Sequence, residues 1–186
     1  MKRGHSGYTF IELVVAMSIA GILAAMTIPS FVSSIRSNYG VSDANSMLSL
    51  VTLARNTAIS RDGYTVLCIN TSATTPACST GSVTWDQGVL LFIDTNNNGT
   101  YDSGTDTLVR VEVPFTSGST ITYTAASTST ALTTIGFTGL GQMNSTTTYG
   151  HFDVKPSNST TGERYVVVRQ IGRANVCPPT DTNCGP

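Results

Sequence analysis

The sequence GYTFIEL, residues 7–13, determines how this 186-residue chain is organised. It joins a basic leader, which contains Lys2 and Arg3, to an apolar run in which no residue from Leu13 to Ile35 is charged. A helix needs about 20 apolar residues to cross a bilayer, so the run is long enough. A secretory signal would carry a small-residue cleavage site after its apolar segment, and none follows here. The sequence therefore predicts that the apolar helix remains part of the mature chain.

A single carboxylate, Glu12, stands at the start of the apolar run. Burying an acid in lipid costs roughly 2.5–3.5 kcal/mol on insertion scales, so we expect this side chain to have a partner and a purpose. Basic residues precede the run and few charges follow it closely, which predicts an N-terminus inside the cell and the remainder outside. The run is therefore interpreted as an anchor with a functional acid near its beginning.

This arrangement resembles the class III signal, which is the prepilin leader of type IV pilins and type II secretion pseudopilins. The resemblance implies that a prepilin peptidase cuts after Gly7 and methylates the new N-terminus at Tyr8, where Phe is commoner. It also implies that Glu12 pairs with the N-terminal amine of a neighbouring subunit, and that Pro29 is the family's helix-kinking proline. An ordinary membrane anchor is the alternative, and it accounts for neither Gly7 nor Glu12.

Composition points to a domain outside the cytoplasm. Only 11% of residues are charged, and Ser, Thr, Asn and Gly are abundant, which suits a β-rich domain with a hydroxyl and amide surface. Loss of Lys2 and Arg3 with the leader changes the formal net charge from −1 to −3. An acidic mature chain argues against indiscriminate binding to nucleic acid, although it permits a local basic patch.

The four cysteines form two local pairs, Cys68 with Cys78 and Cys177 with Cys184. No His or second Cys stands at the C-x2-C type of spacing that zinc sites use. An oxidising compartment favours disulfides instead. Four cysteines allow three connectivities, and shorter loops close more readily, so we predict the disulfides 68–78 and 177–184.

Hydrophobic periodicity divides the chain into a helix and a β-rich region. Apolar residues recur at helical spacing after Pro29, and Asp62-Gly63 supplies a stop signal, which predicts one helix from about Tyr8 to about Arg61. Beyond Gly63 the period becomes two, which is typical of strands. The predicted strands are 64–69, 85–94, 107–113, 121–124, 133–138, 149–154 and 164–171. The fold class is therefore α+β: a long N-terminal helix followed by an antiparallel sheet region.

Three further stretches resemble the GspH/FimT family of minor pilins and pseudopilins. They are the helix-to-sheet junction at 53–63 with the strand that contains Cys68, the segment Trp85–Asp94 with its Asn/Gly turn, and the closing segment Ile171–Cys177. The resemblance implies a pilin-type helix packed against an antiparallel β-sandwich-like head, in a subunit that starts or caps a pilus. The cysteines at 177 and 184 fit the type IV pilus branch better than a secretion pseudopilin.

The loop after the segment 85–94 has a calcium-like pattern. Asp94, Asn96, Asn98 and Asp102 stand at positions 1, 3, 5 and 9 of an EF-hand-type loop, with Gly at position 6. Position 12, which should supply a bidentate Glu, is Thr105. A weak calcium site with fewer ligands is one interpretation. The other is a hairpin loop in which Asn and Asp support the turn geometry.

Arginines near the C-terminus raise the question of DNA. Arg164, Arg169 and Arg173 are three of the eight basic residues that remain after the leader is lost. Some members of the FimT branch bind DNA during natural transformation through a Gly-Arg-x-Arg stretch at this place, but here the fourth position is Asn175. Losing one of few phosphate contacts lowers affinity, so solvated arginines on a terminal strand are the alternative interpretation.

The sequence therefore predicts a structural protein and not an enzyme, because no catalytic set or phosphate loop is visible and no cofactor is expected apart from the calcium alternative. The predicted domains are the leader 1–7, an anchor half of the helix 8–35, an amphipathic half 36–62 and a head 63–186. We expect a minor type IV pilin that spans the inner membrane once with its head in the periplasm, and then enters a cell-surface pilus. Its expected partners are major and minor pilins, the inner membrane and prepilin peptidase. The alternatives are a DNA-uptake pilin and a type II secretion pseudopilin.

Overall fold

The computed structural model describes residues 7–72, 74–115, 118–126, 131–144, 149–157 and 163–181, with only backbone described for 26–30 and 33. The chain divides into two compact units, Met1–Ile35 and Arg36–Pro186. One helix, α1 (Phe10–Arg61), contributes residues to both units. Its bounds confirm the predicted helix to within two residues at the N-terminal end. The backbone is helical at Pro29, whose side chain lies outside the described residues.

The first unit consists of the beginning of α1 and the residues before it. Its large apolar side chains are exposed along the described length, from Ile11 and Leu13 through Ile22 and Leu23. Within the described residues, no helix combines the length and the apolar character that a membrane crossing requires.

Among its described residues, the second unit holds the rest of α1, a short 3-10 helix and eight strands. The strands are β1 (Thr65–Ile69), β2 (Val89–Ile93), β3 (Thr107–Glu112), β4 (Thr120–Ala125), β5 (Thr134–Phe137), β6 (Gly150–Lys155), β7 (Arg164–Val168) and β8 (Ala174–Cys177). They form two four-stranded sheets with the orders β3-β2-β1-β5 and β4-β6-β7-β8. Every neighbouring pair is antiparallel. The α+β architecture with a two-sheet head is confirmed.

The core lies where one face of α1 meets both sheets. The buried helix residues recur every three or four positions, as an amphipathic helix requires, and are Ala44, Met47, Leu50, Val51, Ala54 and Ala58. Trp85 is buried, and its indole Nε1 donates a hydrogen bond to the Leu132 carbonyl oxygen at 2.9 Å. The rings of Trp85 and Tyr123 each meet Phe152 edge-to-face. These contacts pack the 3-10 helix that contains Trp85 against the second sheet.

Two predicted strands differ from the structure. The segment 85–94 begins with a 3-10 helix, Trp85–Gln87, and the strand starts only at Val89. Between them Gly88 has φ 133°, and a Cβ there would lie 2.6 Å from the Asn70 carbonyl oxygen, so close backbone packing interrupts the extended chain. The predicted strand 164–171 ends at Val168, and a tight turn leads into β8, which the sequence prediction omitted.

The edge strand β3 contains an irregularity. Its pairing with β2 shifts between Leu91 and Phe92, which pair with Arg110 and Leu108 respectively, so Val109 has no partner across the ladder. An extra residue of this kind is a β-bulge, which bends and twists the strand. The Arg110 guanidinium also forms an ion pair with the Glu112 carboxylate at 2.8 Å on this strand.

Candidate functional site

The start of α1 contains a reciprocal pair of side-chain hydrogen bonds. The backbone N–H of Glu12 donates to the Thr9 hydroxyl oxygen, and the N–H of Thr9 donates to a carboxylate oxygen of Glu12, both at 3.4 Å. This is a capping box, in which two side chains satisfy N–H groups that the first turn leaves unpaired. Sequence reasoning identified Glu12 for another reason and missed the cap, although Thr9 followed three residues later by Glu12 is its signature.

The residues around the predicted cleavage point are accessible. Gly7 and Tyr8 lie before the helix and are exposed, and a Cβ built at Gly7 would meet no other atom within 4 Å. The apolar side chains that follow have no protein surface to cover them within the described part of the first unit. Contiguous exposed apolar surface of this kind is typical of a segment that contacts lipid or other proteins.

The three C-terminal arginines do not form one cluster. Arg169 and Arg173 face each other across the β7–β8 turn, where the Arg169 N–H donates to the Arg173 carbonyl oxygen at 2.9 Å, and both are exposed. Arg164 stands at the opposite end of β7, where it pairs with Val154 in the ladder. Its guanidinium donates to the neighbouring Glu163 carbonyl oxygen at 2.7 Å. The structure therefore brings two of the predicted residues together and separates the third.

The turn that carries Arg169 and Arg173 rests on the helix through two glycines. Gly172 closes the turn with φ 75°, and a Cβ on it would lie 1.9 Å from the Gly141 carbonyl oxygen. That same carbonyl oxygen accepts a hydrogen bond from Nε of Arg55 on α1, at 3.1 Å. The glycine of the Gly172-Arg173 sequence is thus required by packing as well as by turn geometry.

The loop between β2 and β3 is held by its own polar side chains. The Asp94 carboxylate is 2% exposed and accepts the N–H groups of Asn98 and Gly99 at 3.2 and 2.6 Å. The Asp102 carboxylate accepts the side-chain amide groups of Asn98 and Asn96 at 2.7 and 3.2 Å. Among the residues described, no group of three His, Cys, Asp or Glu side chains is placed to hold a metal ion. The hairpin-loop interpretation explains these contacts, and calcium binding by Asp94, Asn96, Asn98 and Asp102 stays a prediction.

One predicted disulfide is present. The sulfur atoms of Cys68 and Cys78 are bonded, and this bond joins β1 to the loop that follows it. Cys177 at the end of β8 is also disulfide-bonded. The predicted pairing of Cys177 with Cys184 involves a residue outside the described part of the chain.

Several titratable side chains lie together on the outer face of the second sheet. Lys155 forms ion pairs with Asp153 and Glu163, and the hydrogen bond that it donates to the Asp153 carboxylate is the main reason that the pKa of Lys155 is raised. His151 lies on the same strand, with its ring centroid 4.6 Å from that of Tyr165. Burial lowers the pKa of His151, because the charged imidazolium loses solvation there.

Comparison with known protein families gives matches that together cover most of the chain. The family described as Type II transport protein GspH matches residues 43–172, which is more than half of the sequence. The chain belongs to the GspH family. The prokaryotic N-terminal methylation motif matches residues 2–28, which confirms the class III leader of a GspH/FimT-type minor pilin. Members of this family are structural subunits, so the chain is not an enzyme. Comparison with curated protein sequences gives no match.

Solved structures support the same fold. The type IV minor pilin FimU of Pseudomonas aeruginosa strain PAO1 superposes with a TM-score of 0.58 at 16% identity, over 77% of this chain and 92% of FimU. A second crystal form of FimU gives a TM-score of 0.55 at 17% identity, over 75% and 94% of the two chains. Identities this low show the fold alone. Membership of the GspH family implies a membrane-anchored pilus subunit that interacts with other pilins.

Proposed function

We propose that this GspH-family chain is a minor type IV pilin that helps to prime or cap a pilus. A prepilin peptidase cuts it after Gly7 and methylates Tyr8. The segment 8–35 then holds the subunit in the inner membrane as a single span, with the head 63–186 in the periplasm. During assembly the segment leaves lipid for a bundle of similar helices. The observation that carries this proposal is a class III leader directly before a helix whose apolar side chains are exposed.

Glu12 has two roles in this proposal, and they act at different times. Before assembly its carboxylate caps its own helix by accepting the Thr9 N–H. In the filament it pairs with the N-terminal amine of a neighbouring subunit, where water is scarce and an unpaired carboxylate is costly. Because a capping box works with Gln as well as Glu, the two roles respond to different substitutions.

Four full-length variants separate capping from charge pairing, with the amount of subunit in sheared pili as the measurement. Glu12→Ala removes both functions, whereas Glu12→Gln keeps an oxygen acceptor and removes the charge. Thr9→Ala removes the hydroxyl acceptor and keeps the charge. We expect both Glu12 variants to enter pili at least about tenfold less than wild type, because breaking a buried charge pair costs several kcal/mol. We expect Thr9→Ala to incorporate nearly normally, and the matched Ser18→Ala to behave like wild type.

The controls decide what a failure means. All variants should remain in the membrane fraction, because the apolar segment is unchanged. If Glu12→Gln enters pili as well as wild type and Glu12→Ala does not, then capping rather than charge pairing explains the acid. If wild-type chain is found only in a secretion-system filament and never in sheared pili, the pseudopilin alternative replaces the pilus.

DNA uptake is the second candidate function, and one observation favours it. Arg169 and Arg173 are exposed side by side on a turn whose position is fixed by Gly172 and Gly141. Two exposed guanidinium groups on paired backbone positions are able to contact duplex phosphates, and such contacts supply most sequence-independent affinity.

The test for DNA uses the full chain in detergent micelles, titrated with duplex DNA at about 50 and 150 mM salt. A DNA-uptake pilin is expected to bind at the lower salt, to bind more weakly at the higher salt, and to lose affinity on Arg173→Ala. Arg164→Ala is the matched control, because Arg164 lies at the other end of β7. Absence of binding at low salt would exclude this candidate.

A further inference from the structure

Exposed apolar side chains gather on the head beside the C-terminal end of α1. Leu140 is 80% exposed, Ile171 is 52% exposed and Ile59 is 47% exposed. They come from the β5–β6 connection, the β7–β8 turn and the helix respectively. A Cβ at Gly141 would lie 2.6 Å from Cδ1 of Ile59, and one at Gly172 would touch the Gly141 carbonyl, so the three segments are adjacent. These exposed side chains belong neither to the hydrophobic core nor to the leader.

These segments are fixed to one another by hydrogen bonds. Nε of Arg55 donates to the Gly141 carbonyl oxygen at 3.1 Å, and the Met143 N–H donates to the Gln170 carbonyl oxygen at 2.9 Å. The Gly141 N–H donates to the Thr138 carbonyl oxygen at 2.7 Å. A surface that is rigid before binding loses less conformational entropy when a partner docks.

Charges of opposite sign border the apolar side chains on two sides. Arg169 and Arg173 flank Ile171, and neither has an ion pair among the described residues. Asp62 lies next to the residue that precedes Leu140, because its carboxylate oxygen would be 2.6 Å from a Cβ on Gly139. Asp62 and Leu140 also line an open cleft of about 600 Å³, and no Lys, Arg or His stands among the described residues of its walls.

We propose that this surface, here called the α1-end patch (Ile59, Asp62, Leu140, Arg169, Ile171 and Arg173), is where a neighbouring pilin subunit docks on the head. The partner presents a carboxylate to the two arginines, an apolar side chain over Leu140 and Ile171, and a basic side chain towards Asp62 and its cleft. The inference rests on the proposed function as a pilin, and it identifies which part of the head makes the contact.

The arrangement of charge and apolar surface favours a protein partner over nucleic acid. Protein interfaces have an apolar centre in which Arg is enriched and a polar rim, which is the order found here. Protein–DNA interfaces are more polar and much more positive. In the α1-end patch the centre is aliphatic, and the Asp62 carboxylate would repel phosphates. A duplex therefore finds two favourable charges and an unfavourable third, whereas a protein of complementary sequence matches all of them.

The first experiment places a photo-crosslinking amino acid at position 140 of the full-length chain in piliated cells. A second chain carries it at position 108, because Leu108 is also apolar and is 41% exposed on β3. We expect irradiation of sheared pili to give a crosslink from position 140 to another pilin, at several times the yield from position 108. Equal yields from the two positions, or a crosslink from position 140 to DNA, would overturn the proposal.

Substitutions give a second, independent measurement. Leu140→Asp and Arg173→Glu should each lower the amount of subunit in sheared pili about tenfold, as replacement of an interface anchor does, while Leu108→Asp should not. Both positions are exposed, so the oxidised Cys68–Cys78 bond should form as in wild type. If wild-type chain enters pili but both variants do so equally well, the α1-end patch is wrong and the pilin function stands. If wild-type chain never enters pili, the proposed function itself fails.

Discussion

The two halves of α1 are both rich in apolar residues, and they differ in what covers them. In the second unit the helix buries Ala44, Met47, Leu50, Val51, Ala54 and Ala58 against the sheets of its own chain. In the first unit Ile11, Leu13, Val15 and Met17 are exposed. The difference shows that the second half of α1 is covered by its own chain, whereas the apolar side chains described in the first half are not. Perturbations of the two halves should therefore change different measurements.

The same substitution made in both halves should give the largest contrast. Val51→Asp places an unpaired charge in the core, which we expect to destabilise the head by more than about 4 kcal/mol. Val15→Asp should leave the thermal unfolding of the head unchanged in detergent and should instead reduce incorporation into pili. The measurements are circular dichroism of the full chain against temperature and the amount of subunit in sheared pili. If the head of Val15→Asp melted at a lower temperature than the head of wild type, the difference drawn between the two halves of α1 would be wrong.

Removal of the disulfide should affect the head alone. The Cys68–Cys78 bond closes a loop with a sequence separation of 10, for which the chain-entropy account gives roughly 2–3 kcal/mol. We expect the double variant Cys68→Ala/Cys78→Ala to lose that much free energy of unfolding. It should therefore unfold at a lower urea concentration than wild type. A double variant is better than a reducing agent, because Cys177 also takes part in a disulfide. An unchanged urea midpoint would contradict the loop-closure argument.

Alanine substitutions of two glycines with similar φ angles should separate the cost of backbone strain from the cost of close packing. Gly172 has φ 75° with the Gly141 carbonyl oxygen 1.9 Å from a built Cβ, whereas Gly99 has φ 78° with no atom within 4 Å. Gly99→Ala should cost about 1 kcal/mol, which is the backbone penalty alone. Gly172→Ala should cost roughly 1–3 kcal/mol more, because the turn has to move away from the loop at Gly141. Equal costs in urea denaturation would show that the close contact is relieved without strain.

Acid should destabilise the head slightly through His151. Its pKa is lowered by burial from the ordinary value of 6.5, although Asp153 opposes the shift. The neutral imidazole is the form that the fold accepts, so this contribution to stability is complete above about pH 6.5 and is lost as the pH falls towards the lower folded pKa. His151→Gln should therefore reduce the fall in melting temperature between about pH 7.5 and 5.5. An identical fall in wild type and variant would exclude His151 as the cause.

Much of this organisation was predictable because it depends on patterns close together in the sequence. The leader, Glu12 and the helical spacing of apolar residues lie within one continuous segment, so periodicity and composition were sufficient to place α1. The strands with alternating apolar residues were predicted for the same reason. The disulfide between Cys68 and Cys78 followed from its short loop. In each case, the pattern that predicts the feature lies in residues that are near one another in sequence.

The remaining features depend on contacts between distant residues. β8 has only four residues, and its position is set by pairing with β7 after a turn that Gly172 permits. The division of the arginines follows from where β7 begins and ends, which places Arg164 away from Arg169 and Arg173. Arg55 reaches a carbonyl oxygen 86 residues further along the chain. No local pattern indicates such a contact, so sequence reasoning missed the α1-end patch.

The bulge at Val109 has a consequence for how subunits can associate through their sheets. A β-sheet edge offers unpaired N–H and C=O groups, which allow chains to join side by side. In this chain the edge strand β3 is twisted by the bulge and carries the Arg110–Glu112 ion pair. In the proposed function, subunits meet at one membrane surface before assembly, and a straight edge would let them pair through their sheets without a helix bundle. The twisted and charged edge of β3 thus disfavours side-by-side pairing of heads through their sheets.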